Sequence, residues 1–79
     1  METAYVLVNC DLGSEEGIIE DIKHIDSVKE VHGTFGAYDI ITKVENKDRD
    51  RLKEVITWNI RRLAHVRSTL TLMGIPGQN

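Results

Sequence analysis

A chain of 79 residues with ten Lys and Arg, thirteen Asp and Glu and a formal net charge of −3 has room for one small domain. The acidic balance disfavours nucleic-acid binding, which usually needs a basic surface. The one cysteine excludes an internal disulfide, and no apolar run approaches the roughly 18 residues of a membrane span. The start of the chain also lacks the features of a signal peptide. We therefore expect a soluble cytoplasmic protein that compensates for a small core by self-association.

The first part of the chain predicts a strand followed by a helix. Residues 3–10 carry apolar side chains on both faces, which is typical of a strand that is covered on both sides. Ser14 is a favourable helix N-cap, and Ile18, Ile22 and Ile25 then recur at helical spacing. The pattern predicts an amphipathic helix that packs these isoleucines on a sheet.

Two further strands and a second helix follow. Residues 28–35 and 39–44 are predicted strands, and the short segment between them predicts an antiparallel hairpin. From Arg51 onward apolar residues form one helical stripe, with Trp58 at its edge and Asn59 within it. Because a buried asparagine needs a hydrogen-bond partner, we expect Asn59 to have one or to lie near the rim of the core.

Residues 66–73 form the last predicted strand, and its side chains alternate between two sets. We expect the first set to face the core beneath the helices. Its members are Val66, Ser68, Leu70 and Leu72. We expect the second set to lie on the opposite face. Its members are Arg67, Thr69, Thr71 and Met73. We expect residues 3–73 to form the folded core of the domain and residues 74–79 to form a loose tail after it.

The order strand, helix, strand, strand, helix, strand indicates an α+β fold. Right-handed crossovers convert it into a four-stranded antiparallel sheet with both helices on one face, the ferredoxin-like βαββαβ arrangement. The helix-free face would then display Tyr5 and Leu7 beside Met73 and the two threonines of the last strand. This surface is too apolar to remain in water, so a second subunit is expected to cover it.

Two segments resemble a known family. Residues 31–41 contain Gly36, Ala37, Tyr38 and Asp39, and they resemble the Gly-x-Tyr-Asp hairpin of the RAM domain, the amino-acid-sensing half of Lrp/AsnC regulators. Residues 66–72 resemble the closing Val-x-x-Thr-x-Thr strand of that domain. The resemblance covers nearly the whole chain. It implies a sheet-to-sheet dimer of the dimeric α/β barrel type, further assembly into rings, amino-acid effectors bound near the Gly-x-Tyr-Asp turn, and no catalysis.

Two departures from the family pattern matter. Complete regulators carry a helix-turn-helix before this domain, and 79 residues leave no room for one. The chain therefore resembles the stand-alone members, which implies full-length regulators of the same family as possible partners and gives no basis for direct DNA binding. In addition, His65 stands where the family often has glycine, which is expected to alter the loop before the last strand.

The candidate ligand site consists of six residues: Gly36, Ala37, Tyr38, Asp39, Thr69 and Thr71. The hairpin residues have two interpretations. Asp39 accepts local backbone N–H bonds in an ordinary turn, or it binds the ammonium group of an effector through a charge-assisted bond. The threonines are either ordinary β-branched strand residues or hydroxyls that line a ligand or an interface.

Other chemistries have weaker support. The spacings of His24, His32 and His65 match no metal-site pattern, and Cys10 is expected to be a small core residue, so we expect neither metal nor cofactor. The basic cluster is typical of a solvated helix end, although it suits a carboxylate contact as well. It comprises Arg61, Arg62, His65 and Arg67. One alternative function is a small cofactor-free enzyme of the dimeric ferredoxin-like barrel type, and another is an assembly element without a ligand.

Overall fold

The computed structural model describes residues 1–75 and 77. Pro76, Gln78 and Asn79 of the predicted tail lie outside the described residues. The elements run in the predicted order: β1 (Glu2–Cys10), α1 (Glu15–Lys23), β2 (Val28–Gly33), β3 (Ile40–Asn46), α2 (Arg49–Glu54), a π-helical segment (Val55–Ile60) and β4 (Val66–Met73).

The four strands form one antiparallel sheet in the order β2-β3-β1-β4. β1 therefore lies inside the sheet. Ala4, Val6 and Val8 are buried beneath the helices, while Tyr5 and Leu7 lie on the helix-free face. Val6 of β1 stands opposite Thr42 of β3 and Thr71 of β4. This is the predicted ferredoxin-like arrangement, with both helices packed on one face.

The core lies between this face and the helices. The isoleucine stripe of α1 is confirmed, since Ile18 and Ile22 are buried and Ile25 is partly buried against the core. Each such side chain contributes about 1.5–3 kcal/mol by leaving water. The second helix and the strands supply the remaining buried apolar residues: Ala4, Val6, Val8, Cys10, Ile40, Val44, Leu52, Val55, Ile56 and Ile60.

The helix that starts at residue 49 differs from the expected continuous α-helix. The Asp48 carboxylate caps it by accepting the N–H of Asp50 at 2.9 Å. After one and a half turns the helix continues as the π-helical segment, and the Arg61 N–H donates to the Ile56 carbonyl at 3.0 Å. Asn59 lies exposed on this segment, which agrees with its expected place near the rim of the core.

The faces of β4 are the reverse of the expected ones. Thr69 and Thr71 stand opposite Val8 and Val6, which are buried beneath the helices, so the threonines lie on the helix side. Leu70 stands opposite Leu7 on the helix-free face and is 43% exposed. Leu72, opposite Tyr5, is 50% exposed.

A register shift in the pairing of β1 with β4 explains this reversal. The shift lies between Asn9 and Cys10, where Asn9 pairs with Ser68 but Cys10 pairs with Val66. Val66 therefore packs against the core as expected, while the alternation beyond Arg67 changes phase. As a result the helix-free face is more apolar than expected. Its large apolar residues are Tyr5, Leu7, Ile41, Leu70 and Leu72, and this set is called the apolar sheet face below.

Candidate ligand-binding site

Three connections meet at one end of the sheet. β1 and β2 end there, while β3 and β4 begin there. The β1–α1 loop (residues 11–14), the β2–β3 loop (residues 34–39) and the turn before β4 (residues 61–65) therefore lie side by side. This arrangement brings the Gly-x-Tyr-Asp residues close to the first residues of β4.

The β2–β3 loop is held by its own backbone. The Thr34 N–H donates to the Asp39 carbonyl at 2.8 Å, and the Thr34 hydroxyl donates to the Tyr38 carbonyl at 2.8 Å. Gly36 has φ +135°, a conformation that side chains rarely permit, so glycine is needed at the tip. Gly36 and Ala37 are exposed, whereas Tyr38 and Asp39 are half-buried. The loop therefore presents backbone at its tip and the Asp39 carboxylate at its base.

Asp39 fastens this loop to β1. Its carboxylate Oδ2 accepts the backbone N–H of Cys10 at 3.0 Å, and its own N–H donates to the Val8 carbonyl at 3.0 Å. A carboxylate has about four acceptor positions, so one such bond leaves capacity for a ligand. Asp39 therefore has a structural role, but its carboxylate bonds the distant strand β1 and not the local backbone expected of an ordinary turn. The ligand-binding interpretation stays a prediction.

The neighbouring thiol is poorly suited to nucleophilic chemistry. Cys10 is buried, and that burial, followed by the negative charges of Asp39 and Glu15, raises the pKa of its thiol. A thiol with a raised pKa stays protonated at neutral pH, whereas the thiolate is the nucleophile. Its contacts therefore fit the expected core role.

An open depression of about 370 Å³ lies beside Asp39. Its lining residues are Asn9, Cys10, Asp39, Arg67 and Ser68. The guanidinium of Arg67 is mostly exposed, and its Nε lies 3.9 Å from Asp11 Oδ1. The depression thus places one carboxylate and one guanidinium at the same site. Such a pair matches the ammonium and carboxylate groups of an amino acid.

The six predicted site residues do not all meet here. Thr69 lines a neighbouring depression together with Arg61, Arg67 and Ser68. Thr71 stands opposite Val6, farther along β4 and away from the loops. Of the six predicted residues, the structure places only Asp39 in the depression with Arg67; Gly36, Ala37 and Tyr38 are not among the lining residues. In the sequence Arg67 is only one member of a basic cluster, because nothing local in the chain relates it to Asp39.

A family model described as the Lrp/AsnC ligand binding domain matches residues 3–75. The chain belongs to this family. It is similar to a hypothetical protein from Pyrococcus horikoshii, with 33% sequence identity and a TM-score of 0.89 over 95% of this chain and 90% of that one. The fold is also shared with a transcriptional regulator from Neisseria meningitidis, solved as a complex with L-Met, at 10% identity and a TM-score of 0.84. That likeness covers 99% of this chain and 52% of the regulator.

An enzyme contains a similar segment. Homocitrate synthase from Saccharolobus solfataricus is 39% identical over 69 residues, which is 86% of this chain. The chain spans only 15% of the length of that relative. A segment similar to this chain therefore occurs within a longer protein.

His65, in the turn before β4, has a backbone conformation that usually favours glycine. Its φ of +72° lies in the left-handed region, where glycine has no steric penalty. The Asp11 N–H donates to the His65 carbonyl at 2.9 Å, and His65 Nδ1 lies 3.3 Å from Asp11 Oδ2. The backbone of this turn thus keeps a glycine-like conformation, and contacts with Asp11 hold it in place.

Among residues 1–75 and 77 there is no group of three or more His, Cys, Asp or Glu side chains that could hold a metal ion. None of their helices is long and apolar enough to cross a membrane.

Proposed function

We propose that this domain binds a free amino acid at the end of the sheet and works as an oligomeric sensor, without catalysing a reaction. The observation that carries this proposal is that Asp39 and Arg67 line the same depression. Membership of the Lrp/AsnC ligand-binding family supports the proposal that the ligand is a small molecule. The L-Met complex of the Neisseria regulator, which has the same fold, supports an amino acid as the ligand class.

Each group has a proposed role. The Asp39 carboxylate holds the ammonium group, while Arg67 and main-chain N–H groups near Gly36 meet the carboxylate. Tyr38 and Ala37 shape the wall of the site. Thr69 and Thr71 stay a prediction for the site, and Thr69 is the better placed of the two because it borders Arg67.

The apolar sheet face is the proposed dimer interface. Leu70 and Leu72 expose 43% and 50% of their surface in the single chain, and they lie beside Tyr5, Leu7 and Ile41. An apolar patch of this kind on a small domain usually marks an interface. A full-length regulator of the same family is a further proposed partner. Direct DNA binding is not part of the proposal, in keeping with the net charge of −3.

The similarity to homocitrate synthase favours a second candidate function. A closely similar segment forms 15% of that enzyme, so this module can exist as part of an enzyme as well as of a regulator. The domain would then pass an effector signal to a biosynthetic enzyme rather than to a DNA-binding regulator.

A thermal-shift screen against the twenty amino acids tests the proposal. A ligand that binds only the folded state stabilises it by about 2.7 kcal/mol at a hundred times its Kd, which raises the melting temperature. The amino acid that binds is then compared with two analogues. Its amide lacks the carboxylate charge, and its deaminated acid lacks the ammonium group. Both analogues should bind more weakly. If no amino acid raises the melting temperature at millimolar concentration, the sensor function is wrong.

A further inference from the structure

The depression that contains Arg67 lies at an irregular point of the sheet. Asn9 of β1 pairs with Ser68 of β4, and the next residue of β1, Cys10, pairs with Val66. Arg67 is thus an extra residue of β4 without a partner on β1, which is a β-bulge, a feature that redirects side chains and is common beside sites. Neighbours along a regular strand point to opposite faces, yet Arg67 and Ser68 both line this depression, as do Asn9 and Cys10. The bulge therefore gathers residues that regular pairing would separate.

Two of the lining residues have no role in the proposed binding of the ligand's amino and carboxyl groups. Asn9 Nδ2 donates to Ser68 Oγ at 3.4 Å, which is a long and weak hydrogen bond. The two side chains make no other hydrogen bond with the described residues. The Asn9 carboxamide therefore keeps an acceptor and a second donor, and Ser68 keeps its hydroxyl proton. These groups are available to the side chain of a ligand.

A ligand side chain at this position would meet little apolar surface. Cys10 is the one apolar residue among the five that line the depression, and it is buried. The other four are polar or charged. An aliphatic side chain would gain little by leaving water here, and it would displace water from Asn9 and Ser68 without replacing the lost hydrogen bonds. The lining therefore disfavours an aliphatic ligand.

We propose that the ligand is an amino acid whose side chain ends in a carboxamide, and that Asn9 and Ser68 select it. A carboxamide presents one donor group and one acceptor, as the Asn9 side chain does, so the two form a reciprocal pair of hydrogen bonds. The Ser68 hydroxyl donates a further bond to the amide oxygen of the ligand. This inference rests on the proposed function, because Asp39 and Arg67 hold the ammonium and carboxylate groups of the same ligand.

Other polar side chains fit these groups less well. A carboxylate side chain cannot donate to Asn9 Oδ1, and it would share the depression with the negative charge of Asp39. A hydroxyl has its donor and its acceptor on one atom, so it cannot bond both ends of the Asn9 amide in the reciprocal geometry. The carboxamide is the neutral group that matches Asn9 at both positions.

Two pairs of ligands with matched shapes test the proposal. L-Asparagine has nearly the shape of L-leucine, and L-glutamine has nearly the length of L-methionine, the ligand of the Neisseria regulator complex. Calorimetry on the wild type compares the four affinities. At least one amide should bind about tenfold more tightly than its apolar counterpart, as two additional hydrogen bonds would give. L-Aspartate and L-glutamate should bind more weakly than the corresponding amides.

Asn9→Leu removes the amide and keeps nearly the same side-chain shape. It should abolish the preference by lowering the affinity for the amide ligands about tenfold, while the apolar ligands bind at least as well as before. Asn59→Leu is the matched control, because Asn59 is exposed on the π-helical segment and does not line the depression. Ser68→Ala, at an exposed position, is a second variant and should weaken amide binding by about threefold. Thermal unfolding verifies that each variant is folded.

The outcomes separate this inference from the proposed function. Apolar ligands that bind the wild type as tightly as the amides overturn the carboxamide assignment and leave amino-acid sensing intact. An Asn9→Leu protein that keeps the wild-type preference, or that loses amide and apolar ligands equally, overturns the assignment of Asn9 as the selecting residue. If no amino acid binds the wild type at millimolar concentration, the proposed function is wrong and this inference is wrong with it.

Discussion

The Asp39 carboxylate accepts the backbone N–H of Cys10 at 3.0 Å, so one side chain joins the β2–β3 loop to the end of the central strand. The same carboxylate lines the depression that contains Arg67. A structural bond and a ligand contact can therefore coexist on Asp39, since a carboxylate accepts several hydrogen bonds. A ligand that binds this group would also act on the loop that it holds.

Asp39→Asn should separate the two roles. The asparagine side-chain oxygen can still accept the Cys10 N–H, so the fold should remain. Loss of the charge should weaken amino-acid binding by about 1–3 kcal/mol, the range for a charge-assisted bond. Calorimetry on wild type and variant measures this difference. Asp39→Ala is the matched control and should also lower the free energy of unfolding. Equal affinities for wild type and Asp39→Asn would remove Asp39 from the site.

Leu72→Lys should dissociate the proposed dimer without unfolding the chain. Leu72 is half exposed in the single chain, so a lysine there can reach water. In the dimer its charge would be buried without a partner, which should weaken association by about 3 kcal/mol, more than a hundredfold. Light scattering at micromolar concentration gives the mass. Leu12→Lys, in an exposed loop outside the apolar sheet face, should leave the dimer intact. A dimeric Leu72→Lys protein would rule out this interface.

Thr42→Val should stabilise the fold. Thr42 is fully buried on β3, and its hydroxyl oxygen has no hydrogen-bond partner among the described residues. Valine has nearly the same shape and no polar group to desolvate, so we expect a gain of about 1 kcal/mol in the free energy of unfolding. Thr42→Ser keeps the hydroxyl, loses a methyl group and should be less stable than wild type by about 1 kcal/mol. Urea denaturation measures both changes. A destabilised valine variant would indicate that the hydroxyl does have a partner.

His65→Gly should be more stable than His65→Ala by about 1 kcal/mol. Both variants lose the contact between the imidazole and Asp11, which is exposed and contributes little. They differ in the conformational free energy of a φ of +72°, which is unfavourable for alanine and not for glycine. Thermal unfolding of the two variants side by side measures the difference. Equal stabilities would mean that the turn relaxes to an ordinary conformation when the histidine is removed.

Alkaline pH should destabilise the wild type more than Cys10→Ala. The pKa of the Cys10 thiol is raised in the folded state, so the folded protein retains its proton where the unfolded chain has lost it. This contribution is fully present below the ordinary thiol pKa of about 8.5 and is lost as pH rises through the raised folded value. The free energy of unfolding, measured at a series of pH values from neutral to alkaline, should therefore fall more steeply for the wild type than for Cys10→Ala. An equal decrease for the two proteins would show that the thiol titrates alike in the folded and unfolded states.

The sequence by itself determined the order of the elements and the isoleucine stripe of α1. Both follow from local periodicity, because residues one strand step or one helical turn apart share a face whatever the rest of the chain does. The Gly-x-Tyr-Asp residues could likewise be placed between β2 and β3, since a short segment between two strand patterns predicts a hairpin and Gly36 permits the positive φ at its tip.

The tertiary structure alone decided which face of β4 is buried and which residues form the candidate site. The two residue sets of β4 were visible in the sequence, but their direction depends on pairing with β1, and the shift between Asn9 and Cys10 reversed it. Asp39 and Arg67 lie far apart in the chain, and they share a depression because β3 and β4 begin at the same end of the sheet. Strand register and strand order arise from contacts between distant segments, which no local pattern encodes.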